Sequence, residues 1–250
     1  MNLQELSLRK LNVTATCLRR VFPLNVKRKY VKWIGVRVNY SPLYLNGRMD
    51  NSTHFCLATD AIRLPYTEAV ASYCMTFSCE DKDLDDFFAR DAFYYDTELI
   101  GKTYAWVNSE NTQQILGLVT LANDSVKSQY IAKSAKNRLQ RSVPNAKRGI
   151  SFPAVLIGRL GVSSEFRGKG MNIGSQILDF IKDWFRSEDN KTGCRFIVVD
   201  AYNNEKTLHF YEKNGFKPLY KTEQEERDFL ELKPEDPLET RFMFFDLKLR

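Results

Sequence analysis

The strongest constraint in the 250-residue chain is an apolar strand that empties through a glycine-rich turn into a helix. Phe152–Val162 is a nearly unbroken apolar run, as a strand covered on both faces requires. It leads into Arg167, Gly168, Lys169 and Gly170, and the periodicity beyond predicts a helix over 170–186. Glycine lets backbone N–H groups approach an anion with no Cβ in the way. A helix start adds unpaired N–H donors and the positive end of its dipole. Arg167 and Lys169 contribute charge, so the turn suits a diphosphate. It is not a P-loop, because G-x-x-x-x-G-K-[ST] is absent. Gly168, Gly170 and Gly174 approach the dinucleotide G-x-G-x-x-G without matching it. Standing alone, such a turn is more often structural than ligand-binding.

A second element changes that balance. After a predicted strand, Arg195–Asp200, residues Asn204–Lys213 have helical spacing, with Leu208 and Tyr211 on one face. Gly215 is placed to end that helix in the left-handed conformation. Tyr211 by itself reads as a half-buried packing residue. The two motifs together resemble the GNAT superfamily of N-acetyltransferases, whose signature is Q/R-x-x-G-x-G/A after a strand and N-x-x-A-x-x-x-Y-x-x-x-G-F on a later helix. Arg167 and Gly170 meet the first; Asn204, Tyr211, Gly215 and Phe216 meet the second. There are departures. Asn172 stands where the family has Gly or Ala, and Gly174 follows two residues late, which puts Ile173-Gly174-Ser175 at the helix start. Thr207 replaces the alanine.

The resemblance implies an α/β fold whose central mixed sheet is splayed after the fourth strand, with helices on both faces. It implies acetyl-CoA as co-substrate, no metal, and direct attack of an amine on the thioester. Backbone groups near Leu160, Gly161 and Val162 would position the pantetheine arm. Arg167, Gly168, Lys169, Gly170, Met171, Asn172, Gly174 and Ser175 would hold the pyrophosphate, and Asn204 and Phe210 would line the cofactor from the other side. Tyr211 would protonate the leaving thiolate. No general base is legible: His54 lies in an unread stretch, and His209 falls away from the Tyr211 face. An α-amine titrates near ~7.7–8.0 and a lysine near ~10.4, so the lack of a base favours an α-amine acceptor.

A subgroup is indicated upstream. Phe77-Ser78-Cys79, Leu84-Asp85-Asp86-Phe87-Phe88, Ala92, Lys102-Thr103-Tyr104, Gly117-Leu118 and Ile157-Gly158-Arg159-Leu160 are similar to the acetyltransferase toxins of bacterial toxin–antitoxin pairs. Those toxins acetylate the α-amine of aminoacyl-tRNA. Charged tRNA, a small antitoxin and a second copy of the chain are the partners this brings into view.

The rest of the chain divides at about residue 65. Residues 1–65 read as a basic extension and 66–250 as the acetyltransferase domain. Residues 1–37 carry nine Lys/Arg against Glu5, a net +8, while the remainder is −2. That arm is either a solvated segment or an electrostatic contact for an anionic partner such as RNA. It shares an Arg-rich, acid-poor character with transit peptides, and nothing else supports targeting. Tyr30–Val38 is strand-like, and 40–53 holds turn residues. Ser78 is placed to cap a helix beginning Cys79-Glu80, with Leu84, Phe87, Phe88, Ala92 and Tyr95 at helical spacing. Strands are expected at 102–107 and 114–121, joined by a hairpin loop. A basic helix is expected over 125–142, a loop over 143–150, and strands at 216–220 and 240–247; the charged stretch 221–238 offers no element. Five scattered cysteines exclude a disulfide framework and fit reduced thiols in the cytoplasm. Cys74 and Cys79 have no second pair for zinc. No run reaches the ~20 apolar residues of a membrane span, and no secretory signal opens the chain.

Three functions compete at this level: an N-acetyltransferase acting on aminoacyl-tRNA or on a peptide or small-molecule amine, a non-catalytic acetyl-CoA-binding regulatory module, and an RNA-binding protein with a vestigial enzymatic fold.

Overall fold

A computed structural model describes residues 55–127, 129 and 151–248, except 75 and 189. The basic arm, the strand-like stretch 30–38, the turns at 40–53, His54 and nearly all of the expected basic helix and its following loop lie outside the described residues.

The elements run α1 (Leu57–Asp60), β1 (Ala61–Pro65), α2 (Glu68–Cys74), α3 (Lys82–Asp86), a π-helical turn (Phe87–Asp91), α4 (Ala92–Thr97), β2 (Lys102–Asn108), β3 (Ile115–Lys127), β4 (Ser151–Val162), α5 (Ile173–Arg186), β5 (Phe196–Tyr202), α6 (Glu205–Lys213), β6 (Lys217–Pro218), α7 (Glu223–Phe229) and β7 (Thr240–Asp246). They form a mixed α/β structure around a seven-stranded sheet of order β1-β2-β3-β4-β5-β7-β6. β1 to β4 pair antiparallel in succession, β4 pairs parallel with β5, and β5, β7 and β6 are antiparallel again. The sheet's first strand, Ala61–Pro65, lies before residue 66.

The β4–β5 seam positions everything that follows. It holds over only three register pairs, Ala154 with Phe196, Val155 with Ile197 and Leu156 with Val198. Beyond them β4 continues to Val162 paired with β3, and β5 continues to Tyr202 paired with β7. The two strands splay, as expected after the fourth strand. β4 changes register against β3 at the splay: Thr120 faces Arg159 while Leu121 faces Ile157, which makes Gly158 the extra residue of a bulge.

Strand alternation gives each face its own cover. α5 and α6 share a core cluster with Leu116, Val119, Leu121, Val155, Ile157, Ile197, Val199 and Ala201. Within α5, Ile173, Ile177 and Ile181 recur every four residues and are buried. On the opposite face α2 and the α3–α4 segment pack on Ala105, Val107 and Leu118. Farther along that face lie Val126, Phe152, Ala154, Phe196 and Val198. The π turn inserts one residue, so that neighbouring Phe87 and Phe88 are both buried, 5% and 1% exposed.

Several local expectations change. The helix after Ser78 begins at Lys82, because Asp81 accepts from Leu84 N–H at 3.2 Å and is the true cap. Ser78 instead donates to Asp85 at 2.7 Å. α5 starts at Ile173 rather than Gly170, because Gly170 and Asn172 are left-handed, φ +76° and +50°, which a helix cannot hold. β3 runs on to Lys127, where the sequence predicts a helix from 125; Val126 faces Phe152 on β4 and buries its side chain there. The charged stretch 221–238 contains α7, capped by Thr222. Glu226 anchors that helix, accepting from Arg241 at 2.6 Å and from Phe242 N–H at 2.6 Å.

Candidate active site

The turn between β4 and α5 is built as a backbone nest. Gly168, Gly170 and Asn172 take positive φ of 79°, 76° and 50° in alternation. Such alternation points successive N–H groups to one side, toward an anion. From Gly168 to Ser175 no backbone N–H donates to another group among the described residues; the first helical bond is Gln176 N–H to Asn172 C=O. A Cβ added at Gly168 or Gly170 would meet nothing within 4 Å, so the space over the turn is open. Eight unanswered donors at a helix start fit a pyrophosphate. Asn172 takes the position where the family has a small residue: it tolerates the left-handed conformation, and its amide donates to Gly170 C=O at 3.2 Å. Lys169 is exposed at the lip.

Arg167 does something else. Its own N–H donates to Ser163 C=O, so its backbone is not one of the open donors. Its guanidinium donates to Cys79 C=O at 2.9 Å and pairs with the Glu80 carboxylate. Ser164 N–H donates to Ser78 C=O at 2.8 Å. These bonds tie the turn to the segment that leads into α3, where Glu80 has a positive φ of 58°. Asp85 completes the tie by accepting from Ser78 and from Cys79 N–H. Burial would raise its carboxyl, but those hydrogen bonds and the Arg167 charge hold it below the ordinary value.

Leu160, Gly161 and Val162 line the splayed half of β4, opposite Val119, Leu118 and Gly117 of β3. Gly174 is where the predicted pieces meet: a Cβ there would lie 3.1 Å from the Phe210 ring and 3.4 Å from Val162. This glycine brings α5, α6 and the end of β4 into contact. Met171 packs at the margin of the core, and Ser175 is half-buried. Asn204 is exposed, and its side-chain oxygen caps α6 by accepting from Thr207 N–H at 2.9 Å. That leaves its amide nitrogen for any ligand. Tyr211 is 6% exposed, in one cluster with Val199 and Ala201, edge-on to Phe210 and Phe216 at 5.1 and 5.3 Å. Burial pushes its phenol well above the ordinary value, so it stays protonated at neutral pH.

The far side of the splay holds residues absent from the expected set. Arg159 follows the bulge, donates to Gly158 C=O at 2.8 Å, lies 5.1 Å over Phe87 and stands 3.9 Å from Asp83. Tyr202 ends β5, where burial and then the charges of Asp81 and Asp83 raise its phenol, with Arg159 opposing. Asp200 lies two residues before it. A glycine and an arginine inside an otherwise apolar strand, Gly158-Arg159, are the signal that marks this edge in the sequence.

Comparison with known proteins agrees with this geometry. Residues 102–218 match the family model described as an acetyltransferase (GNAT) domain. Three solved structures share the fold. AtaT complexed with acetyl-methionyl-tRNAfMet is 21% identical with a TM-score of 0.56, over 76% of this chain and 96% of that one. A tyrosine-to-phenylalanine mutant of KacT is 18% identical with a TM-score of 0.57, over 76% and 96%. AtaTR bound with AcCoA is 22% identical with a TM-score of 0.51, over 76% and 94%. Residues 102–218 thus resemble an acetyltransferase (GNAT) domain, and the described residues share the fold of the solved acetyltransferase structures.

Proposed function

We propose that the chain moves the acetyl group of acetyl-CoA to the α-amine of aminoacyl-tRNA. The observation that carries the cofactor half is the run of eight backbone N–H groups from Gly168 to Ser175 that donate to no group among the described residues, with open space over Gly168 and Gly170. In this reading those amides hold the pyrophosphate, the splayed edge at Leu160–Val162 positions the arm, and Phe210 and the Asn204 amide close the other side. Acetyl-CoA supplies an activated acyl group as a thioester. Tyr211, kept protonated by burial, delivers a proton to the departing sulfur. The acceptor half is supported by the toxin-like fold, by a neighbour complexed with an acetylated aminoacyl-tRNA, and by the +8 arm over residues 1–37. An antitoxin partner belongs to the same reading, since a neighbouring toxin is bound to the C-terminus of its antitoxin. Assembly with a second copy belongs to it as well.

A coenzyme A release assay across charged tRNA, uncharged tRNA, peptides, polyamines and free amino acids tests the proposal. Turnover is expected with charged tRNA. Turnover with peptides or polyamines alone overturns the acceptor. Acetyl-CoA binding without release for any amine points to a regulatory module instead.

A further inference from the structure

The end of α4 presents apolar side chains to solvent. Eight large apolar residues are exposed among the described ones, and five of them, Phe93, Tyr94, Tyr95, Leu99 and Ile100, fall within residues 93–100. Tyr95 keeps an inner edge against Phe87 at 5.0 Å. Phe93 and Tyr94 stand edge to face at 6.2 Å, and Tyr94 is 67% exposed. Single exposed apolar residues are ordinary on a folded surface, whereas a group of them marks contact with another molecule. Leu99 shows that the group is not a by-product of folding. α4 closes with a left-handed residue: Ile100 N–H donates to Tyr95 C=O at 3.0 Å, Leu99 N–H donates to Asp96 C=O at 3.2 Å, and Leu99 has φ +58°. Glycine fills that position without strain, and leucine does not. The Leu99 side chain is 81% exposed, so packing within the fold does little to offset the strain. A strained residue that serves neither the turn nor the core points to function.

Charge decides the kind of partner. Residues 80–98 hold eight Asp/Glu against Lys82 and Arg90, a net −6 in a chain that is +6 overall. Lys102, Arg159 and Arg167, which face Asp96, Asp83 and Glu80, bring the region only to −3. Asp91 and Glu98 flank α4 at its two ends and are exposed. Neither carboxylate has a hydrogen bond or an ion pair among the described residues. An RNA backbone or an anionic membrane meets repulsion on such a surface. Two copies joined face to face across a two-fold axis would set the same negative charge against itself. Arginine or lysine on an apolar segment meets both features at once, the carboxylates and the open faces of the rings.

We infer that the exposed end of α4 docks a basic, apolar segment of a partner protein. The apolar side chains of that segment cover Tyr94, Leu99 and Ile100, and its arginines or lysines reach Asp91 and Glu98. The docking does not depend on acetyl transfer and stands or falls without it.

The probe is a fluorescein-labelled amphipathic peptide of leucine and arginine, titrated with the full-length chain by anisotropy. A peptide with serine in place of leucine is the control. The leucine peptide is expected to bind at least about tenfold tighter than the control. Leu99→Gly relieves the backbone and removes the contact, so affinity should fall about tenfold while the melting temperature does not fall. Tyr94→Ser should repeat the loss of affinity. Asp91→Asn with Glu98→Gln should weaken binding and flatten its decline with added salt. Equal affinity for the two peptides, or binding that survives Leu99→Gly and Tyr94→Ser, overturns the docking surface. So does an unchanged salt dependence in the double variant. A clear fall in melting temperature for Leu99→Gly returns the leucine to the fold and overturns it too. Two further measurements check the other occupants. A dimer of the chain alone that Leu99→Gly dissociates, seen by sedimentation, gives the face to a second copy. Protection of the amides of residues 93–100 from exchange by tRNA gives it to RNA. Either result overturns the basic partner.

Discussion

Tyr211 and Arg167 both belong to the cofactor end of the site by motif, and the structure gives them different surroundings. The Tyr211 hydroxyl is the only part of that residue that can do chemistry; the ring is a packing element between Phe210 and Phe216. Tyr211→Phe should therefore keep the fold and the acetyl-CoA affinity while lowering kcat by about 10²- to 10⁴-fold, read by steady-state kinetics beside calorimetry. Because burial raises its phenol, the wild-type rate should show no alkaline fall from this group below pH ~10. Arg167 grips Cys79 C=O and Glu80, on the segment that leads into α3 and not toward the nest. Arg167→Ala should raise the acceptor KM several-fold and leave the acetyl-CoA Kd within about twofold. A split in the opposite sense would return Arg167 to the pyrophosphate. The motif spacing places Arg167 at the start of the turn. It cannot show where the guanidinium points, because its partners lie 87 and 88 positions earlier in the chain.

At the level of elements, the glycines of the β4–α5 turn separate by cause. Gly168 and Gly170 need their left-handed conformation, with φ of 79° and 76°, but have free space for a Cβ. Alanine at either position strains the backbone by about 1–2 kcal/mol and should weaken acetyl-CoA binding as the nest relaxes. Gly174 has ordinary helical conformation and no room, since a Cβ there would sit 3.1 Å from the Phe210 ring. Gly174→Ala should instead lower global stability by about 1–3 kcal/mol, measured by urea denaturation. The strand–turn–helix was legible because glycine and charge there follow an apolar run. Its phase was not: counting the helix from Gly170 ignores that three alternate residues, Gly168, Gly170 and Asn172, turn left-handed before α5 can begin. α7 was illegible because its only buried residue is a glutamate, Glu226, whose partner Arg241 is supplied by a later strand.

The whole molecule carries a pH dependence from its buried thiols. Burial raises Cys74 to about 11; burial, then Asp85, raises Cys79 to about 12. In the unfolded chain a thiol ionises near ~8.5. Above that pH the unfolded state binds fewer protons than the fold, so stability declines as pH rises from ~8.5 through about 11 and about 12. The urea midpoint should fall between pH 8 and pH 10.5, and the fall should shrink in a Cys79→Ser variant. At the same scale, the nine Lys/Arg of residues 1–37 set an electrostatic expectation. Deleting them should flatten the plot of log affinity for tRNA against log salt by about 0.7–0.9 for each phosphate the arm neutralises. An unchanged slope would remove the arm from RNA recognition.

The three-pair seam between β4 and β5 also has a mechanical meaning. β1–β4 form one continuous meander and β5, β7 and β6 another, and the hydrogen-bonded join between them is shorter than any strand of the first group. The sheet is two plates on a short hinge, held shut largely by α5 lying across its face. Under load, or in slow amide exchange, the plates should part along that line before either one frays. A ligand wedged in the splay would act as a pin through the hinge.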